Sequence, residues 1–426
     1  MPSATDPTPA PPPLHALATL APASSARTWM SAPHPSLPLV ATASSDKTVR
    51  VYSLTSFTLL STVAGGHKRS VRACAWKPAG SAGESVLATG SFDASAGIWR
   101  KWEGGAQERG EVDVMAEEED EEDWRFSVIL DGHESEIKSV AWSAGGQFLA
   151  TCSRDKSVWV WEEMEDDNFE TIAVLQEHEG DVKSVVWHPS EDLLASSSYD
   201  DTIRLYREDV DDWSAVAVLA GHDATVWGVD FEVVEVTALR VEDGEPTDEV
   251  KAERAKLLQD RVKSGSRLVS CSDDLTVRVW KRVPKEDGAP EAGRNGMPSI
   301  LRTNSIEEEW VQETILPNRH DRAIYSVSWS KKSGLIVSSG SDGKIIVYKE
   351  QWRSSSEASG DSATAEEKSL PLTEWVVVAE TEGAHDVFEI NHVVWAPRRD
   401  RERKSEEEEV IISTGDDGEV KLWTLG

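Results

Sequence analysis

The sequence predicts an all-β protein built as a closed ring of seven blades, a seven-bladed β-propeller. Three observations carry that expectation. A turn aspartate recurs seven times, at Asp46, Asp93, Asp155, Asp200, Asp274, Asp342 and Asp417. Four residues before each stands a hydroxyl: Thr42, Thr89, Thr151, Ser196, Ser270, Ser338 and Ser413. Six residues after each stands an aromatic: Tyr52, Trp99, Trp161, Tyr206, Trp280, Tyr348 and Trp423. Periodic self-similarity of this kind marks repeat architectures.

Within each copy, segments such as "SVAWS", "FLAT" and "SVWVW" are rich in Val, Ala, Leu and Trp and read as strands. A histidine opens six of the seven units: His67, His133, His178, His222, His320 and His385; the first copy lacks one. His, Asp and Ser/Thr together suggest a hydrolase triad, but a catalytic site does not occur six times in one chain. The same groups make a buried hydrogen-bond chain running indole, hydroxyl, imidazole, carboxylate. They are expected to staple each blade, each bond contributing about 1 kcal/mol net. The last copy ends at "EVKLWTLG" with no chain left for its outermost strand, and "LHALATLA" (residues 14–21) is expected to supply it from the N-terminus. Closing the ring this way removes an open sheet edge.

The expected organisation is a disordered Pro-rich segment over residues 1–13 and one propeller over residues 14–426. The aspartates are spaced by 47, 62, 45, 74, 68 and 75 residues, and the excess lies in polar insertions at about 103–124, 235–264, 283–309, 353–371 and 398–409. These read as solvated loops. "TDEVKAERAKLLQDRVKS" reads as a short helix after Thr247 and is the insertion best suited to touch a partner. The run "RRDRERK" faintly resembles a nuclear-import signal, diluted by acidic neighbours.

Composition bounds the partners. The 426 residues carry 44 Lys+Arg against 77 Asp+Glu, a formal net charge of −33. That excludes a general nucleic-acid binder and an anionic membrane surface as partner. The N-terminus has no basic region followed by an apolar core, so no signal peptide is expected, and no apolar run approaches the ~18 residues of a membrane span. Cys74, Cys152 and Cys271 have neither disulfide nor zinc-site spacing and read as small buried hydrophobes. No cofactor and no metal is expected. A soluble protein of the cytosol or nucleus is the expectation.

Propellers bind on flat faces, and function lives in what decorates them. The residues just before the turn aspartates are Ser45, Phe92, Arg154, Tyr199, Asp273, Ser341 and Asp416. The corresponding inner-strand residues are Trp29, Arg72, Lys138, Lys183, Trp227, Tyr325 and Asn391. Blades 2 to 4 therefore gather Arg72, Lys138, Arg154 and Lys183, flanked by Phe92, Tyr199 and Trp227. Focused charge of one sign on an acidic protein steers an opposite ligand, arginine recognises carboxylates bidentately, and exposed aromatics resemble interface anchors. The expected ligand is an acidic peptide, including one that offers a C-terminal carboxylate.

The Gly-His opening and aromatic close resemble the WD40 repeat. More narrowly, "EIKSVAWSAGGQFLATCSRDKSVWVWE", "DVKSVVWHPSEDLLASSSYDDTIRLY", "AGHDATVWGVDF", "RSVRACAWKP" and "ATGSFDASAGIW" resemble the cytosolic iron–sulfur assembly WD40 family across essentially all blades. The chain departs from that family in its long insertions and in the missing first histidine. The resemblance implies a non-catalytic scaffold in the cytosolic Fe–S (CIA) targeting complex, monomeric within a hetero-complex. Its implied partners are a small acidic protein, a large HEAT-repeat protein, an iron-only-hydrogenase-like cluster carrier and Fe–S apoprotein clients. It also implies that the family's functionally important arginine falls on Arg154, within "SRDK". Two rival readings are a substrate receptor of a cullin-type ubiquitin ligase and a chromatin-associated reader. The first wants Trp-Asp-x-Arg at a blade end, where this chain has "WRKW", "WEEM", "YRED" and "WKRV". The second wants an acidic face where blades 2 to 4 are basic.

Overall fold

The computed structural model describes residues 11–78, 83–102, 124–164, 167–209, 212–237, 239, 248–284, 307–353 and 371–426. They form seven four-stranded antiparallel sheets. Blade 3 shows the unit: Ile137–Trp142, Phe148–Ser153, Val158–Glu163 and Phe169–Leu175 pair in sequence order as a meander. The other inner strands are Thr28–Pro33, Val71–Trp76, Val182–Trp187, Val226–Phe231, Ile324–Trp329 and Ile390–Pro397.

The core lies between blades. Seven apolar clusters each draw on two consecutive blades, such as Ala150, Val160 and Val182 with Leu194 and Tyr206 between blades 3 and 4. The strand His15–Thr19 pairs antiparallel with Val420–Thr424 of blade 7, so the N-terminal strand closes the ring as the sequence leads one to expect. Leu14 enters the blade 6–7 cluster and Leu20 the blade 7–1 cluster. Pro12 already accepts a hydrogen bond from Glu380 N, at 3.1 Å.

The insertions divide into three kinds. Most of 103–124, 283–309 and 353–371 lies outside the described residues. Residues Asp248–Ser264 form a helix of 17 residues with acids in its first turn and bases in its last, which suits the helix dipole. Among the described residues no helix is long and apolar enough to cross a membrane. In the loop 398–409, which is largely exposed, Arg398 pairs with Asp400 (2.6 Å) and Glu408 (3.0 Å), and Asp400 is buried. Its opposite charges answer one another locally.

Two repeated backbone devices build the upper face, the face that carries the turn aspartates. The residue after each turn aspartate has positive φ, from 66° to 79°: Lys47, Ala94, Lys156, Asp201, Leu275, Gly343 and Gly418. This tight turn lets the aspartate accept from the backbone N–H two residues on, as Asp155 does from Ser157 N at 2.9 Å. The second device is a β-bulge in every inner strand. Register slips between its first and third residues, leaving one residue unpaired: Trp29, Arg72, Lys138, Lys183, Trp227, Tyr325 and Asn391. Bulges re-aim side chains beside functional sites.

Candidate functional site: the upper mouth of the ring

The staples take the following form. In blade 3, His133 Nε2 lies 2.8 Å from Thr151 Oγ1, His133 Nδ1 lies 2.8 Å from Asp155 Oδ2, and the Trp161 indole donates to Thr151 at 3.0 Å. Corresponding links join His67 to Asp93 and Thr89, His222 to Asp274 and Ser270, and His385 to Asp417 and Ser413. Trp99, Trp280 and Trp423 close those three chains. His178–Asp200 and His320–Asp342 also bond at 2.8 Å, but a tyrosine replaces the indole there. Among the described residues the buried Tyr206 hydroxyl has no partner at hydrogen-bond geometry, and Tyr348 has a 3.4 Å contact to Ser338. Burial opposes ionisation of Asp155, yet the His133 and Ser157 bonds outweigh it and hold the carboxyl well below the usual carboxylate range. In blade 1, Ser24 stands where the histidine is missing, 3.1 Å from Ser44 and 3.4 Å from Asp46, and Arg50 adds a 2.6 Å ion pair to Asp46.

Beside each staple, the residue before the turn aspartate is pinned next to the bulge residue of its own blade. Its N–H donates to the carbonyl two residues before the bulge: Arg154 N to Glu136 O at 3.0 Å, Tyr199 N to Asp181 O at 2.8 Å, Phe92 N to Ser70 O at 2.9 Å. The same bond recurs in the other four blades. Two sequence positions per blade thus become one ring of side chains around the mouth.

Those side chains pair cations with rings in two runs, one across blades 1 to 3 and one across blades 4 and 5. The Arg72 guanidinium lies 5.0 Å from the Trp29 ring, and Lys138 Nζ 4.4 Å from Phe92. Lys183 Nζ lies 5.4 Å from Tyr199 and 4.8 Å from Trp227. Arg69, which the sequence reading passed over, reaches Phe92 (5.9 Å) and Glu136 (3.2 Å). Its signal was present in "HKRS", one loop residue beyond the histidine.

Apart from the staple aspartates, two carboxylates pair with the mouth cations of blades 2 to 4. Glu136 holds Lys138 at 2.7 Å and Arg69; Asp181 holds Lys183 at 3.4 Å and reaches Arg154 only at 4.0 Å. Among the described residues Arg72 has no carboxylate within ion-pair distance. Four of the five cations therefore share Glu136 and Asp181, and Arg72 pairs with neither. Burial pulls the Arg72 pKa down to about 10, which leaves it charged at neutral pH, and burial also lowers Lys183 against the pull of Asp181. Arg154 keeps 59% of its side chain exposed.

One expectation is corrected. Of the three flanking aromatics only Tyr199 is fully presented, at 62% exposure. Phe92 is half-buried against Trp29, with ring centroids 5.9 Å apart. Trp227 is half-buried because its indole donates to Asp273 at 2.5 Å and its ring meets Tyr325 at 5.1 Å. They act as seats for cations more than as free hydrophobic anchors.

Seven blades with these turn-aspartate staples define a WD-repeat β-propeller. The model of the family described as WD domain, G-beta repeat matches residues 23–53, 57–100, 124–162, 169–207, 262–281 and 312–349. The chain belongs to the cytosolic iron-sulfur protein assembly protein 1 family. It is 57% identical over 434 residues to the probable cytosolic iron-sulfur protein assembly protein 1 of Phaeosphaeria nodorum, covering 98% of this chain and 97% of that one. Its identity to the proteins of the same name from Aspergillus flavus and Aspergillus terreus is 54% over 433 and 57% over 424 residues, each covering 96% of this chain and 97% of the relative.

Proposed function

We propose that this protein is a non-catalytic scaffold of cytosolic iron–sulfur protein assembly, and that the mouth of blades 2 to 4 is where it takes up an acidic segment of a partner or client. The observation that carries the reading is the imbalance at that mouth. Arg69, Lys138, Arg154 and Lys183 share the carboxylates of Glu136 and Asp181 and Arg72 has neither, on a chain whose net charge is −33. A site of one sign within an opposite surrounding field attracts and orients an oppositely charged ligand. Arg154 offers an exposed guanidinium for a carboxylate, and Arg72 a desolvated one deeper in the mouth. A C-terminal carboxylate is the smallest group that satisfies both. The relatives' names supply the process, and in that process the fitting partners are a small acidic protein, a HEAT-repeat scaffold, an iron-only-hydrogenase-like cluster carrier and apoproteins awaiting 4Fe–4S clusters, in cytosol and nucleus.

The cluster is cargo in this reading. Cys74, Cys152 and Cys271 are each buried in a different blade, and burial pushes the thiols of Cys74 and Cys152 up to about 12, far from the thiolates that clusters require. Among the described residues no group of three or more His, Cys, Asp or Glu side chains could hold a metal ion. Purified protein is expected to be colourless and iron-free; a band near ~400 nm with stoichiometric iron, the mark of a thiolate-bound cluster, would contradict the scaffold reading. Affinity capture of the wild-type chain from extract is expected to bring down Fe–S assembly proteins or Fe–S apoproteins, and their absence would count against the assigned process.

A chromatin reader would use acids at the mouth. Two acids of the ring positions on the far side are already occupied: Asp273 by Trp227, and Asp416 by Arg27 at 2.6 Å and Asn391 at 2.8 Å.

A further inference from the structure

The loop that enters blade 7 breaks the pattern of its sisters. In blades 2 to 6 the inner strand begins four residues after the histidine, as Val71 follows His67 and Ile137 follows His133. In blade 7 it begins five residues after His385, at Ile390. The sister loops carry Lys68-Arg69-Ser70, Glu134-Ser135-Glu136, Glu179-Gly180-Asp181, Asp223-Ala224-Thr225 and Asp321-Arg322-Ala323, with no apolar side chain larger than alanine. Blade 7 carries Asp386-Val387-Phe388-Glu389, in which Val387 is 92% exposed and Phe388 46%. A single exposed valine is ordinary. An apolar pair, raised by one extra residue where five homologous loops are polar, has no explanation in the fold.

The tip is held firmly. Asp386 takes a positive φ of 54° and donates its N–H to Gly383 O at 2.9 Å, while Phe388 N donates to His385 O at 3.0 Å. Ala384 N bonds Gly343 O of blade 6 at 3.2 Å, and Glu389 O receives Asp416 N at 3.1 Å. His385 beneath is wholly buried in its staple. A side chain presented on so fixed a loop loses little freedom when it docks, which favours its use as an anchor.

The rim is acidic. Glu382 and Asp386 are exposed and Glu389 half-exposed on this loop, with Asp321 across the groove. Lys344 is already committed to Asp321 (2.7 Å), Glu382 (3.3 Å) and Glu380 (3.8 Å), and Arg319 and Arg322 are exposed on the neighbouring segment.

We propose that Val387 and Phe388 anchor a second docking surface, on blade 7, for a different protein that offers an apolar pocket rimmed by lysine or arginine. A second copy of this chain is disfavoured, because two acidic rims on molecules of net charge −33 would repel. The inference rests on the scaffold reading, since a scaffold needs a face for the machinery besides the one for its client.

The test places a photoreactive benzoylphenylalanine at position 387 of the full-length chain. That chain is mixed with each of three purified probes: the HEAT-repeat protein, the small acidic protein and the hydrogenase-like carrier. The expected result is a crosslink to one of them, within a segment flanked by Lys or Arg. The double substitution Val387→Asp with Phe388→Asp should weaken that pair by about tenfold or more, with an unchanged melting temperature. Absence of a crosslink to all three, a crosslink only to a second copy, or unchanged affinity of the double variant would overturn the proposal. Arg154→Glu in the same binding assay separates the two readings. If the blade 7 variant loses its partner while Arg154→Glu loses nothing, this inference stands and the proposed use of the mouth falls.

Discussion

Asp155 shows what a single residue does in this protein. Its carboxylate takes the His133 imidazole, the backbone N–H groups of Glu134 (2.9 Å) and Ser157, and the Ser157 hydroxyl. Replacing it by alanine orphans several polar groups of which His133 is buried, at about 1–3 kcal/mol for each group that water cannot reach. Asp155→Ala is therefore expected to lower the melting temperature by several degrees while partner binding persists below the melt; a variant that loses partners at full stability would show that the staple is itself a contact. Arg154, one residue earlier, is the opposite case. Its backbone is fixed but its side chain stabilises little, since an exposed ion pair at 4.0 Å contributes less than about 1 kcal/mol. The contrast was legible in the sequence, because the repeat fixes which residue turns inward and which turns out. The partnering of Arg154 was not, since Asp181 belongs to the next blade.

At the scale of elements, the side of blades 5 and 6 holds a buried ion cluster that no repeat pattern announces. Arg267 is buried and bonds Glu232 through two N–H groups at 2.7 and 2.8 Å, Glu313 at 2.9 Å and Glu350 at 3.0 Å, with its guanidinium 5.1 Å from the Trp329 ring. The helix Asp248–Ser264 buries none of its residues. It is tied down by Arg261 on Glu350 and by Arg254, 4.8 Å from the Trp352 ring. Arg267→Met leaves Glu232 and Glu350 short of their counter-charge and is expected to cost about 3–5 kcal/mol in urea unfolding. Arg261→Ala leaves Glu350 still paired with Arg267, so it should cost about 1 kcal/mol or less while quickening proteolysis within the helix. Equal losses for the two variants would show that the helix is integral to the propeller. The helix was readable from sequence as the run after Thr247. Its attachment was not, because Arg261 and Glu350 lie 89 residues apart.

On the scale of the molecule, the ring closes through the pairing of its N-terminal strand with its last one. The seven turn aspartates revealed the blade number, and the missing last strand revealed the closure, because each is a local pattern repeated at long range. The Ser24 and Arg50 substitute for the first histidine is an exception that needs coordinates, whereas Asn391 was readable as blade 7's mouth position despite the extra residue before it. Deleting residues 1–22 removes the strand His15–Thr19 together with Leu14 and Leu20, members of two inter-blade clusters. A fall in stability of the whole chain is expected, seen as one cooperative shift in thermal melts, whereas deleting residues 1–12 forfeits the Pro12 bond and should change little. Equal melts for the two truncations would mean the ring closes without its N-terminal strand. A closed ring holds the cations of blades 2 to 4 in place at its mouth, where the proposed acidic segment docks. The most direct measurement is capture of partners by wild type and Arg154→Glu from the same extract, with thermal melts of both. A mutant that melts like wild type but loses Fe–S assembly partners or Fe–S apoproteins is the expected result. Equal stability with an unchanged set of partners would contradict it and make Arg154 a solvated charge on an idle face.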